Sequence, residues 1–244
     1  MGHKGFSFVD MIPLLNLLPP SVSNVIRSPH VANTIVVVVF LLIVASLATR
    51  GLRKEPKKYF VPEGRLTFRT AGEMIVGGIL QLVKDNMGPR GPEFTMIIGT
   101  LALFIFVSNV LGMVPGFQSP TENLNTTGAC ALTVFVLTHY YGIREHGIKY
   151  LKQFVGPVTW LAPLMIPVEL IGHIVRPVSL SIRLFGNIFG DHAAVAIFFG
   201  LVPILLPLPM MALGLLVAVI QTLVFILLSM AYFSLAIEEH AHEE

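Results

Sequence analysis

The residues from Ser179 to His192 place strongly polar side chains inside an otherwise apolar part of the chain. The stretch reads SLSIRLFGNIFGDH and includes Arg183, Asn187 and Asp191. An arginine at the centre of a membrane span costs about 2.5 to 3.5 kcal/mol by insertion measurements, and ionisable groups in spans mark ion or substrate paths. These residue types therefore indicate a path for ions or for a substrate.

Further polar residues extend this pattern toward the start of the same predicted helix. At about 100° per residue, the polar side chains fall within about 80° of one another around the helix axis. This polar stripe consists of Glu169, His173, Arg176, Arg183, Asn187 and Asp191. His192 and Ser181 point in other directions. A single stripe predicts a polar groove that faces protein or water.

Most of these residues also have a purely structural interpretation. Arg176 and Glu169 lie toward one end of the run, where long side chains reach the membrane surface, and Glu169 with His173 could form an i, i+4 salt bridge. Gln221, the chief polar group of the last apolar run, could hydrogen-bond between helices. Arg183 has no acid at i±3 or i±4, so we expect its partner on another helix or another chain.

The composition indicates an integral membrane protein. Of the 244 residues, 54% are hydrophobic and 12% are charged, whereas a soluble domain carries about 25% charged residues. The mean hydropathy is +0.78. The single Cys130 cannot form an intrachain disulfide, and the net charge of +2 does not favour nucleic-acid binding.

Uncharged runs long enough for a bilayer core, which takes about 20 helical residues, predict five spans. We expect these spans at 31–49, 94–114, 123–143, 161–202 and 208–237. Pro203, Pro207 and Pro209 predict a turn between the last two. The fourth run is too long to stand upright, so we expect it to be tilted, kinked near Pro177 or extended past the membrane surface.

The distribution of charge predicts how the chain crosses the membrane. The segment after the first span, TRGLRKEPKKYF, and the one after the third, IREHGIKYLK, are both basic. Positive residues that flank spans stay in the cytoplasm, so we expect the N-terminus outside and the C-terminus inside.

A helix between the first two predicted spans has a different pattern. Within 66–87, Ile75, Ile79, Leu82 and Val83 lie on one face and charged residues flank them. This pattern predicts an amphipathic helix on the cytoplasmic membrane surface, or equally a helix packed on a partner.

The predicted fold is an all-α integral membrane protein with about five transmembrane helices, one amphipathic interfacial helix and a long tilted pair of spanning helices at the end. The predicted regions are an outer N-terminal segment (1–30), a first transmembrane helix (31–49), a cytoplasmic basic linker with the amphipathic helix (50–92), a transmembrane hairpin (93–143), a cytoplasmic loop (144–160) and the tilted pair that carries the ion path (161–240).

Two motifs resemble subunit a of the F-type ATP synthase family. They are RPVSLSIRLFGNIFGDH at 176–192 and VIQTLVFILLSMAY at 219–232. The stretch 107–132 is also similar to that family's second spanning helix and following loop, through Asn109, Gly112, Pro115, Pro120, Thr121, Asn123 and Asn125. The resemblance covers about 66–240, and its RLFGN core is the most specific part.

The resemblance implies a proton-channel subunit of a rotary machine, which is not itself a catalytic centre and holds no cofactor or metal. Arg183 would face a ring of c subunits that each carry one carboxyl group, between two offset half-channels. A b-subunit peripheral stalk, other F0 and F1 subunits and the lipid of a bacterial-type inner membrane would be its further partners.

The resemblance also implies roles for residues around the arginine. Glu169 would lie near the cytoplasmic half-channel, Asp191 and His192 near the outer one, and Gln221 close to the arginine. We assign His173 to the cytoplasmic side by position alone, and Asn187 to the outer side likewise.

The sequence departs from the family's pattern at one position. Many members pair a histidine nine residues after the arginine with a glutamate on the last helix, seven residues before its glutamine. Here the histidine is His192, but the second position is Gly214. Plastid-type members instead have an acidic pair on the earlier helix and glycine on the last one. We therefore expect Asp191 to supply the acid from the fourth span.

Other classes of protein remain open from the residues alone. A secondary ion transporter also uses charge near the midplane, although five spans show no internal repeat. A structural membrane scaffold would tolerate loss of Arg183. A membrane enzyme is least favoured, since the sequence has no HExxH cluster and no Ser or Cys in a nucleophile motif. Proton and sodium are both possible coupling ions.

Overall fold

The computed structural model describes residues 28–49, 68–114, 117–147, 150, 162–201 and 207–238, and every regular element in these ranges is helical. The α-helices are α1 (Pro29–Thr49), α2 (Phe68–Met87), α3 (Thr95–Gly112), α4 (Leu124–His146), α5 (Ala162–Leu201) and α6 (Pro207–Glu238). Two 3-10 helices, Gly88–Phe94 and Pro120–Glu122, precede α3 and α4. The prediction of an all-α fold is confirmed.

Four stretches are long and apolar enough to cross a membrane. They are His30–Thr49, Thr70–Gly112, Pro163–Val195 and Pro209–Ile237, so the chain is a multi-pass membrane protein. The prediction of about five spans differs in two places. The third expected span forms α4 but is not among the four, because residues such as Asn125 and His139 make it more polar. One stretch, Thr70–Gly112, includes most of the helix predicted to lie on the membrane surface.

Several predicted segments lie outside the described residues. These are the N-terminal segment up to residue 27, the basic linker at 50–67, most of the loop at 148–161, the proline turn at 202–206 and the acidic tail from 239.

The chain divides into two compact units, and the first is Met1–Pro120. In it α2 packs against α1 and α3. The amide of Asn33 donates to the carbonyl of Gln118 at 2.7 Å. On the predicted apolar face of α2, Val83 is fully buried but Ile75 is half exposed, so other helices of this unit cover that face only in part.

The second unit, Thr121–Glu244, contains α4, α5 and α6, which pack against one another in all three pairs. A hydrogen bond of 3.1 Å joins the hydroxyls of Thr127 on α4 and Ser181 on α5. A buried seam on α5 repeats every four residues through Leu180, Leu184 and Ile188, as one face of a helix requires. The long α5 continues through Pro167 and Pro177, and its 40 residues correspond to about 60 Å.

The packing of the first unit can be tested where the backbone at Gly91 lies close to the backbone of α2. Gly91 is buried beside α2, and an added Cβ would lie 2.8 Å from the carbonyl oxygen of Val83. Backbone atoms cannot move aside as a flexible side chain can. We therefore expect Gly91→Ala to lower the free energy of unfolding by about 1 to 3 kcal/mol, as overpacking does. Thermal unfolding of the purified full-length chain in detergent would measure this.

Gly78→Ala is the matched control, because nothing lies within 4 Å of a Cβ added at that position of α2. Replacing a mid-helix glycine by alanine should raise stability by about 0.5 to 1 kcal/mol. Equal melting temperatures for the two variants would contradict the packing of residues 88–94 on α2.

Candidate functional site

The polar stripe of α5 meets the antiparallel helix α6 at three successive levels. Near its start, the guanidinium of Arg176 lies 5.6 Å from the ring centroid of Tyr232. Further along, Asn187 bonds Gln221, and beyond it Asp191 lies against Gly214. The residue numbers of the partners on α6 decrease from 232 to 214 as those on α5 increase from 176 to 191. Three of the six stripe residues, Arg176, Asn187 and Asp191, therefore lie against α6.

Arg183 lies between these levels but on an open face of α5. It is exposed, whereas its neighbours Leu180 and Leu184 are buried on the seam toward the other helices. Nothing lies within 4 Å of a Cβ added at Gly186 or Gly190, one and two turns further along the same open face. Among the described residues, no hydrogen bond or ion pair involves Arg183. Of the two places expected for its partner, another helix or another chain, the described residues therefore show none on another helix of this chain.

Asn187 and Gln221 form the polar contact nearest to the arginine. The Asn187 amide donates to Oε1 of Gln221 at 2.5 Å. Gln221 is 2% exposed, and its Nε2 has no hydrogen-bond partner among the residues that the structure describes. A buried amide donor without a partner is uncommon in folded proteins. A buried water molecule would satisfy this donor.

Asp191 occupies the space that a side chain at position 214 would fill. A Cβ added to the buried Gly214 would contact Oδ2 of Asp191, with the carboxyl carbon at 3.2 Å and Oδ1 at 3.3 Å. The small residue on α6 thus makes room for the acid on α5. An acidic side chain from α5 and one from α6 could not occupy this place together.

His192 pairs with an acid that the sequence analysis did not select. Its Nδ1 lies 3.2 Å from Oε2 of Glu122, in the 3-10 helix before α4. About a quarter of the Glu122 side chain and a fifth of the His192 side chain are exposed. The sequence did offer one indication of Glu122, because it is the one acid in a loop between two apolar runs. His192 points away from the polar stripe, as the helix geometry predicts.

A second polar cluster lies toward the start of α5. The carboxylate Oε1 of Glu169 is 3.4 Å from Nε2 of the buried His173. On α4, the ring of His139 lies 5.2 Å from that of His173, centroid to centroid. His139 could not be selected from the sequence, because its histidine neighbour lies on another helix.

Two polar clusters therefore flank Arg183 along α5. Glu169 and His173 precede it, and His173 is about 15 Å away at 1.5 Å per residue. Asp191 and His192 follow it by about 12 Å. In the described ranges, no group of three His, Cys, Asp or Glu side chains is placed to hold a metal ion. The arrangement places groups that can exchange protons at intervals along the helix.

Comparison with known proteins gives a family for the chain. A family model described as ATP synthase A chain matches residues 31–234. ATP synthase subunit a of Geotalea daltonii is 50% identical over 209 residues, which are 86% of this chain and 87% of that protein. Subunit a of Geobacter sulfurreducens is 48% identical over 223 residues, or 91% and 93% of the two chains.

A third relative extends the match nearly to both ends. Subunit a 3 of Pelobacter propionicus is 45% identical over 234 residues, which are 96% of this chain and 97% of that protein. The matched region contains all of α3, α4 and α5, and with them the arginine and both polar clusters. The chain therefore belongs to the ATP synthase A chain family.

Proposed function

We propose that this chain is the proton-channel subunit of the stator in a rotary F-type ATP synthase. The observation that carries the proposal is the charge of Arg183 on an open face of α5, with one polar cluster before it and one after it. Family membership supports the same function. The subunit moves protons and breaks no covalent bond, so it is not itself catalytic.

Arg183 acts on carboxyl groups that a ring of c subunits brings past it. A carboxyl group that faces lipid stays neutral because desolvation disfavours its charged form, and a nearby cation favours the ionised form. A carboxyl that arrives beside Arg183 therefore releases its proton. Arginine suits this role because its guanidinium stays charged even when poorly solvated. The same fixed charge opposes direct passage of protons from one side to the other.

The two polar clusters form the two offset half-channels. Asp191, His192 and Glu122 line the outer one, and Asn187 with Gln221 connects it to the arginine. Glu169 and His173 belong to the cytoplasmic one. Each cluster combines groups that accept and donate protons, which a relay requires.

This function requires a membrane of a particular kind and specific partner subunits around the chain. It lies in the inner membrane of a bacterial-type cell, with its N-terminus outside and its C-terminus in the cytoplasm. The open face of Arg183 meets the c ring, and a b-subunit stalk holds the chain still against the rotation. The remaining F0 and F1 subunits complete the complex.

Removal of the charge is the test of this function. In inverted membrane vesicles that contain the assembled complex, we expect Arg183→Ala to lower ATP-driven acidification at least about 10²-fold, because loss of one electrostatic contact at a reacting centre has effects of that size. Ile182→Ala is the matched control, since Ile182 is the exposed neighbour and carries no charge. Normal pumping by assembled Arg183→Ala would instead indicate a scaffold or another kind of transporter.

The outer half-channel has its own test at Asp191. Asp191→Asn keeps the shape of the side chain but cannot carry a proton, so we expect proton flux to fall about 10²-fold, the lower end of what positioned acids and bases contribute. ATP-driven acidification in the same vesicles measures the flux. Unchanged flux would remove Asp191 from the relay.

A double variant tests whether the acid can return to α6. Gly214→Glu alone should impair assembly or flux, because its side chain would meet the Asp191 carboxylate. Asp191→Gly combined with Gly214→Glu removes that contact and leaves one acid in the same space. We expect the proton flux of this double variant to exceed that of either single variant. If its flux is no higher than that of Asp191→Gly, the acid must be supplied by α5 specifically.

A further inference from the structure

A histidine pair joins α4 to the start of the polar stripe on α5. The rings of His139 and His173 lie 5.2 Å apart, centroid to centroid, at an interplanar angle of 66°. His173 is 4% exposed. Its Nε2 lies 3.4 Å from Oε1 of Glu169, whose side chain is 37% exposed. His139, His173 and Glu169 thus form a series that begins between α4 and α5 and ends at a partly exposed carboxylate.

The backbone of α4 fixes which nitrogen of His139 can exchange a proton. Its Nδ1 lies 2.8 Å from the carbonyl oxygen of Phe135, one turn earlier. A carbonyl oxygen only accepts, so Nδ1 must carry the hydrogen and donate it. Nε2 of His139 is then the nitrogen that gains and loses a proton. The ring is held in place by Phe135, whose centroid is 4.2 Å away, and by Tyr150 at 5.9 Å.

A small cavity connects the two imidazoles. Its volume is about 20 Å³, and its lining includes His139, His173, Thr138 and Arg176. This is enough for one water molecule, provided that polar groups hold it. Most of the lining is apolar, and the polar side chains among its residues are those of the two histidines, Thr138, Arg176 and Tyr232. The cavity therefore offers a place where water can pass a proton from one ring to the other.

The charged and titratable groups around this cavity come from all three helices. Glu169 and Arg176 lie on α5 with His173, Tyr232 of α6 lies under the Arg176 guanidinium, and Tyr150 packs on the His139 ring. Two imidazolium charges at about 5 Å would repel each other.

We propose that His139 is a proton-relay residue that works with His173 and Glu169 through the cavity between α4 and α5. The step breaks the Nε2–H bond of His139 as a water oxygen takes that proton, and the water releases another proton to the His173 ring. His173 then gives the proton on its Nε2 to the carboxylate of Glu169. No electrons are transferred. The inference rests on the proposed function, since it adds a residue to the cytoplasmic half-channel.

The test compares His139→Phe with the unmodified complex in inverted vesicles. Phenylalanine keeps an aromatic ring between Phe135 and Tyr150 but cannot carry a proton. We expect ATP-driven acidification by the assembled complex to fall about tenfold. This is less than the 10²- to 10⁴-fold contribution of positioned acids and bases, since water can partly replace the relay. We also expect a larger solvent isotope effect in D2O, which a packing defect alone would not produce.

Two further variants complete the design. His139→Gln retains a donor for the Phe135 carbonyl and should show the same loss. Tyr140→Phe is the matched control on the adjacent, 57% exposed position and should pump normally. Wild-type rates in either assembled His139 variant would overturn the inference. Failure of both variants to assemble would also overturn it, by making His139 a packing residue.

The outcome at Arg183 separates this inference from the function on which it rests. If Arg183→Ala abolishes pumping while His139→Phe pumps normally, only the role of His139 is wrong. If Arg183→Ala pumps normally, the proton-channel function itself fails, whatever His139→Phe does.

Discussion

An uncompensated positive charge in an apolar helix is the constraint on which the rest of the second unit depends. Arg183 is exposed on α5 and, among the described residues, forms no hydrogen bond or ion pair. A charge in a span is costly unless a partner or water stabilises it. On a different face of the same helix, Leu180, Leu184 and Ile188 are buried. The guanidinium therefore lies on a side of α5 that the described residues do not cover.

Small and polar residues along the α5–α6 contact keep the two helices close without filling the space between their polar groups. Gly214 leaves room for the Asp191 carboxylate, and Asn187 reaches Gln221 across the same contact. A larger residue at position 214 would collide with the acid. Position 214 and position 191 are therefore linked by volume, which explains physically why an acid on one helix goes with a glycine on the other.

Periodicity along one helix groups the polar residues of α5 into a predicted stripe, because residues at spacings of three and four share a face. It could not predict contacts between helices. Glu122 and His139 were missed since each finds its histidine partner across the fold, 70 and 34 residues away in sequence. Hydropathy likewise indicated an all-α membrane protein. It could not predict the contacts of the polar residues on α4, such as the hydrogen bond of Thr127 with Ser181.

The central claim is that the open face of Arg183 meets the c ring, and disulfide formation tests it directly. In a Cys130→Ala background, Gly186→Cys would be paired with a cysteine placed beside the carboxyl residue of the c subunit. Leu132→Cys, on an exposed position of α4, serves as the control. The account predicts a disulfide between the two subunits for Gly186→Cys and none for Leu132→Cys in assembled complexes. A disulfide formed only by Leu132→Cys would contradict it, since the ring would then lie against another face.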